Sequence, residues 1–186
     1  YNMTLKSTFY FLTFLCLTIF GCKEKSHFGD KSLLVSENGR YFTTGDGEHF
    51  FWLGDTGWLL FSRLTREETN TYLEDRKQKG FNVIQVMVLH DVAAKNIYGD
   101  SALVGKDVSK PVVTDKNDYK DSTAYDYWDH IDYVVETAAE KGLYMALVPV
   151  WGTNVKEKKV NEAQAKVYAK FLADRYKDKW NIIWLN

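Results

Sequence analysis

"KGFNVIQVMV" at residues 79–88 and "KGLYMALVPV" at residues 141–150 decide how this chain folds. Each opens on a Lys-Gly pair and continues as an almost unbroken apolar run. Glycine just past the end of a helix adopts the left-handed turn without a side-chain clash. An apolar run of this length, bounded by such a stop, reads as a strand buried on both faces. A helix precedes each pair. Thr65 and Glu68 stand at the spacing of a capping box, and Gly80 ends the helix that they begin. In "YDYWDHIDYVVETAAEKG" (125–142), Trp128, Ile131, Val135 and Ala138 recur at three and four, as on one face of a helix. A third helix over about 161–178, with Val167, Phe171 and Leu172 on one face, leads into "NIIWLN" (181–186). Upstream, "HFFWLGDT" (49–56) reads as one buried strand.

Helix, short stop and buried strand thus recur. Such units give parallel strands joined by right-handed crossovers. Two architectures fit, an open doubly wound sheet and a (β/α)8 barrel. An open sheet that binds nucleotides carries a glycine-rich phosphate turn after its first strand. The turn here, "GDTGWLLFSRLT" (54–65), has no such pattern, and the barrel is preferred. Strands are expected near 50–55, 81–89, 143–150 and 181–186. The expected fold class is therefore α/β: the N-terminal half of a (β/α)8 TIM barrel, truncated after strand four. A short hairpin, "LLVSENGRYFTT" (33–44) with Asn38-Gly39 at its turn, precedes it. A half-barrel would leave unpaired strand edges.

The first residues read as an address. In "MTLKSTFYFLTFLCLTIFGC" (3–22), Lys6 precedes an apolar run of signal-peptide length, too short to span a bilayer comfortably. The run closes on Ile19-Phe20-Gly21-Cys22, which resembles a bacterial lipobox, although Phe20 is larger than usual there and a plain signal peptide containing a cysteine is the alternative. The expected organisation is a lipoprotein signal peptide over 1–22 with Cys22 lipidated, a tether over 23–32 and the catalytic-type domain over 33–186. This places the protein in the bacterial cell envelope, at the outer membrane, held by lipid alone. A net charge of −1 offers no electrostatic case for nucleic acid. Cys16 and Cys22 are the two cysteines, so the body has neither a disulfide nor a thiolate metal site. His49, His90 and His130 have no ligand spacing, and "DKNDYKD" (115–121) lacks the glycine and final glutamate of a calcium loop. No metal and no cofactor are expected.

A barrel gathers its chemistry at the C-terminal ends of its strands. Those ends carry Asp55, Thr56 and Trp58, then His90 and Asp91, then Trp151, Thr153 and Asn154, then Asn186. Carboxylates and amides suit hydroxyl groups, and indole faces suit the apolar side of a sugar ring. Asp55, Trp58, His90, Asp91, Trp151 and Asn186 are therefore candidate contacts to an oligosaccharide or polysaccharide. Each has a plainer reading as well: Asp55 as a turn cap, His90 as a structural histidine, Trp151 as closure of the barrel top. The long connection over about 91–124 hints at a binding role. Asp55-Thr56-Gly57 matches the triplet of aspartic proteases, but those enzymes need two triplets in an all-β fold, and this chain has one in an α/β body.

The strings "NGRYF" (38–42), "DGEHFFWLGDTGW" (46–58), "LTREE" (64–68), "KGFNVIQ" (79–85), "YWDHIDYVVETAAEKGL" (127–143) and "NIIWLN" (181–186), in this order and spacing, resemble the start of the apiosidase-like catalytic domain. The resemblance covers roughly residues 33–186 and is weakest over about 93–124. It implies a (β/α)8 glycoside hydrolase of plant-polysaccharide-degrading bacteria, acting on pectin-type glycans, with apiose-containing side chains as the best-known target. It also implies a two-carboxylate mechanism, with the first acid just after Asn186 and its partner further on. On that implication the chain holds no catalytic residue and is inactive alone. The alternative is a glycan-binding surface lipoprotein without catalysis.

Overall fold

A computed structural model describes residues 31–186. The expected signal peptide, Cys22 and all but the last two residues of the expected tether lie outside the described residues. The elements are β1 (Leu33–Val35), β2 (Phe42–Thr44), β3 (His49–Phe50), β4 (Gly54–Thr56), α1 (Leu60–Arg63), α2 (Arg66–Gln78), β5 (Val83–Leu89), α3 (Tyr127–Glu140), β6 (Tyr144–Val150), α4 (Gly152–Lys156), α5 (Glu162–Tyr176) and β7 (Ile182–Trp184), with a 3-10 turn at Val104–Lys106.

Strands β1–β2–β3 form a small antiparallel sheet, and β4–β5–β6–β7 form a parallel one. In the parallel sheet each strand after β4 pairs with the one before it in the chain. A doubly wound sheet reverses its winding at a switch point; a barrel wall does not. The order of the strands therefore agrees with the half-barrel expected from the sequence.

Register sorts the two faces. Gly54, Val83 and Tyr144 align, as do Thr56, Gln85, Ala146 and Ile183. These share the inner face. Asp55, Ile84, Met145 and Ile182 alternate with them and face the helices. The helix-side core packs Ile84, Val86, Met145 and Leu147 against Leu73, Trp128, Ile131, Val135 and Leu172. Trp128 meets Phe171 edge to face at 4.7 Å. At the N-terminal end of the strands, Leu33, Phe50, Trp52 and Trp180 pack around Tyr144 and Val83, so β1–β3 cap the bottom of the wall. Phe50 and Trp180 both present edge-to-face contacts to Tyr144, at 5.1 and 5.3 Å.

The helix ends follow the sequence. Thr65 and Glu68 form the reciprocal capping box of α2, and Gly80 and Gly142 take the left-handed turn after α2 and α3 with φ of +84° and +75°. Two expectations need correction. Residues 49–56 are not one buried strand. The segment splits into β3, in the cap, and β4, in the wall, with Phe51 79% exposed between them. The side chain of Asn82 bridges the gap, accepting from Leu53 N at 2.9 Å and donating to Phe51 O at 2.6 Å. In α5 the buried stripe is Tyr168, Leu172 and Tyr176, with Phe171 beside it. Val167 is half-exposed because the stripe runs at intervals of four from Tyr168, one position further round the helix.

Candidate functional site

The C-terminal end of the parallel sheet forms a mouth. The chain leaves β4 through Gly57, whose N–H donates to Gln85 O at 2.9 Å, and Trp58, whose carbonyl accepts from Met87 N at 3.1 Å. The backbone of Trp58 is thereby locked to β5. Across β5, Trp151 follows β6 directly and donates its N–H to Leu89 O at 2.9 Å. The two indoles come together with ring centroids 6.1 Å apart and planes tilted by 48°. Trp151 remains 45% exposed. Two residues far apart in sequence thus make one aromatic surface at the strand ends.

His90 follows β5 on the same rim. Its Nδ1 lies 3.2 Å from Ser62 Oγ on α1. Asn154, on α4, holds the rim together. Its Nδ2 donates to His90 O at 3.1 Å and to Trp151 O at 3.0 Å, and its Oδ1 accepts from Val92 N at 3.3 Å. It is 1% exposed. This amide fastens the end of β5 to the end of β6.

The two carboxylates read from the sequence stand elsewhere. Asp55 occupies the outward position of β4, between inward Gly54 and Thr56. It accepts from Tyr72 Oη at 2.8 Å and pairs with Arg76 Nε at 3.0 Å, both on α2. Burial, and then the hydrogen bond to Asp55, push the Tyr72 phenol above its ordinary range. Asp55 ties strand to helix, and the period-two alternation of a strand is the reason. Asp91 turns into its own loop. It accepts from Ala93 N at 2.8 Å and meets Lys159 Nζ at 3.0 Å. The Ala93 amide first, then Lys159, hold its carboxyl below the usual carboxylate range. Asn186 is exposed, two residues beyond β7. Of the sequence candidates, the structure brings Trp58 and Trp151 together; His90 ends β5 on the same rim with its ring turned to Ser62 on α1, Asp55 is set apart on the helix side and Asp91 is held within its loop. Ser62 went unnoticed in the sequence, since nothing local marks a serine that meets a histidine 28 positions away. Among the described residues no group of three His, Cys, Asp or Glu side chains is placed to hold a metal ion, and no helix is long and apolar enough to cross a membrane.

The long connection after β5 is largely structural. Val92, Ala94, Ala102, Leu103 and Val108 are buried in the helix-side core, and Ala102 O accepts from Trp128 Nε1 at 3.0 Å. Thr114 N donates to Asp126 at 2.7 Å, at the N-terminus of α3.

Residues 36–186 match the family model described as "Apiosidase-like, catalytic domain". Among solved structures, the chain is 48% identical to one described as "Glycoside hydrolase", with a TM-score of 0.72 over 83% of this chain and 33% of that one. It is 44% identical to a glycoside hydrolase family 5 protein from Bacteroides vulgatus ATCC 8482, with a TM-score of 0.72 over 83% of this chain and 32% of that one. An endo-1,4-beta-mannanase from Rhizomucor miehei, at 16% identity and a TM-score of 0.56 over 82% of this chain and 47% of that one, shares the fold. The chain spans about a third of the length of the first two. No curated protein sequence matches it.

Proposed function

Since this chain belongs to the apiosidase-like catalytic-domain family, we propose that it supplies the sugar-gripping part of a glycoside hydrolase acting on plant cell-wall glycans. The proposed substrate is of the pectic type, with apiose-containing side chains. The observation that carries this reading is the pair of indoles at the C-terminal strand ends, Trp58 and Trp151. Barrel enzymes act at that end, and tilted aromatic faces offer apolar area to sugar C–H groups while leaving hydroxyls to polar neighbours. His90 closes β5 on the same rim, its ring held by Ser62 and its carbonyl by Asn154.

Glycosidic hydrolysis by this route needs two carboxyl groups facing each other across the scissile bond. Asp55 is engaged by α2 and Asp91 by Lys159, so neither is assigned to the reaction. The 186-residue chain is expected to bind glycan and to release no reducing sugar. Grafted in place of the matching third of the 48%-identical glycoside hydrolase, it is expected to restore hydrolysis of apiose-containing pectin. Trp151→Ala in that chimera should lower kcat/KM by about tenfold. A folded chimera that hydrolyses none of these glycans would overturn the hydrolase reading. Binding that persists without hydrolysis would favour the glycan-binding module instead, for which the engagement of both carboxylates speaks.

We also propose that the protein is an envelope lipoprotein anchored through Cys22. Metabolic labelling with a fatty acid should mark the protein in its source cell and not the Cys22→Ser variant. Labelling that survives this substitution would exclude Cys22 as the anchor.

A further inference from the structure

A concavity lies where the N-termini of α2 and α3 meet the long connection after β5. It has a volume of about 390 Å³ and is lined by Arg66, Tyr98, Asp100, Ser122 and Tyr125. Its walls are tied together by ring contacts and hydrogen bonds. The rings of Tyr98 and Tyr125 meet edge to face at 5.7 Å, and both rest on His130, at 5.6 and 6.0 Å. Tyr125 Oη is 2.7 Å from His130 Nδ1, and His130 Nε2 is 3.1 Å from Leu64 O. A carbonyl only accepts, so Nε2 carries the proton, and Nδ1 accepts from the tyrosine. Arg66 donates its backbone N–H to Tyr98 Oη at 3.0 Å and its Nη1 to Tyr119 O at 2.9 Å, with its guanidinium 4.1 Å from the Tyr133 ring centre. Asn96 Nδ2 fixes Asp100 at 2.9 Å. Even so, Tyr98 stays 48% exposed.

We propose that this pocket is a secondary subsite for a neutral sugar residue of the same glycan, an inference that rests on the glycan reading above. The exposed ring of Tyr98 gives a stacking face. Asp100 accepts from hydroxyls, Ser122 accepts or donates, and Arg66 donates. One positive and one negative group leave the pocket near electroneutral, and the Arg66 guanidinium is already engaged by Tyr119 O and the Tyr133 ring, which fits a neutral sugar better than a carboxylated one. The volume lies within the range of small-ligand sites. One stretch of chain running from α1 to α2 touches residues on both sides. Ser62 meets His90 in the mouth, and two residues on the carbonyl of Leu64 meets His130 under the pocket.

The test titrates the 186-residue chain with neutral oligosaccharides from arabinan, galactan and xyloglucan, and with oligogalacturonides as the acidic counterpart, by calorimetry or saturation-transfer NMR. A neutral oligosaccharide is expected to bind. Tyr98→Ala should weaken that binding by about tenfold, through loss of the stacking face, whereas Tyr98→Phe should retain most of it. Ser122→Trp, at an exposed rim position that leaves the core untouched, should block the pocket, so the result does not hang on the folding of Tyr98→Ala. Neutral-glycan binding that is lost in Trp151→Ala but unchanged in Tyr98→Ala and Ser122→Trp would overturn the pocket and leave the glycan reading standing. Oligogalacturonide binding that depends on Tyr98 would overturn the neutral-sugar assignment. Wild-type chain that binds none of these glycans would overturn both.

Discussion

Asn154 commits its whole side-chain amide to three backbone groups, on Val92, His90 and Trp151, while almost completely buried. Replacing it by alanine removes these side-chain bonds from Val92 N and His90 O, while Trp151 O keeps only the bond from the Asn154 backbone N–H. Asn154→Ala is expected to cost about 2–3 kcal/mol in urea denaturation and to weaken glycan binding, because the backbone of Trp151 loses a tie. Two buried titratable groups on α3 act oppositely with pH. Burial, followed by the nearby Asp126, pushes Asp129 up to about 6. Burial pushes His130 down to about 4. Below its raised pKa and above its ordinary one, Asp129 holds a proton in the folded state that the unfolded chain releases. Stability from this group therefore rises as pH falls through that window. His130 does the reverse: the unfolded chain takes up a proton that the folded protein refuses, and stability falls from pH 6.5 toward 4. Each slope amounts to roughly 3 kcal/mol, and together they largely cancel. Asp129→Asn should therefore lose stability on acidification between these limits, whereas His130→Asn should gain, as read by denaturation midpoints across the window. Asp132, also raised by burial, adds to the Asp129 slope.

At the scale of elements, local chemistry was the most legible. The Thr65–Glu68 box and the Lys-Gly stops mark α2 and α3 because they act over four residues or fewer. Thr65→Ala should destabilise by about 1 kcal/mol through loss of the cap, measurable as a lowered urea midpoint. Two further boxes, Asp126 with Asp129 and Asn161 with Gln164, cap α3 and α5 over the same short span. The short helices α1 and α4 carried no periodic signal, being barely one turn long. The division of residues 49–56 into β3 and β4 was not legible either. It depends on Asn82, about thirty positions away, whose side chain takes the place of a strand neighbour. The facing of Asp55 could have been read, since alternation puts it opposite Gly54 and Thr56; its partners Tyr72 and Arg76 on α2 could not.

At the scale of the molecule, the barrel-type order of strands was legible from the repeated helix–stop–strand unit, and so was the aromatic character of the mouth. What brings Trp58 beside Trp151, or Arg66, Tyr98 and Tyr125 into one pocket, is tertiary placement that no local pattern encodes. The helix-side core carries the sheet, and Trp128 is its largest fully buried side chain. Trp128→Ala should cost about 3–5 kcal/mol and expose the loop segment that hydrogen-bonds to it through Ala102, seen as faster amide exchange over residues 92–108.

The sequential pairing of β4 through β7 bears on how the protein is made. From β5 on, each strand pairs with the one translated just before it. As the chain emerges from the ribosome, a new strand therefore meets a finished edge rather than waiting for a distant segment. Assembly can advance one strand and helix at a time, with synthesis itself setting the order in which edges are covered.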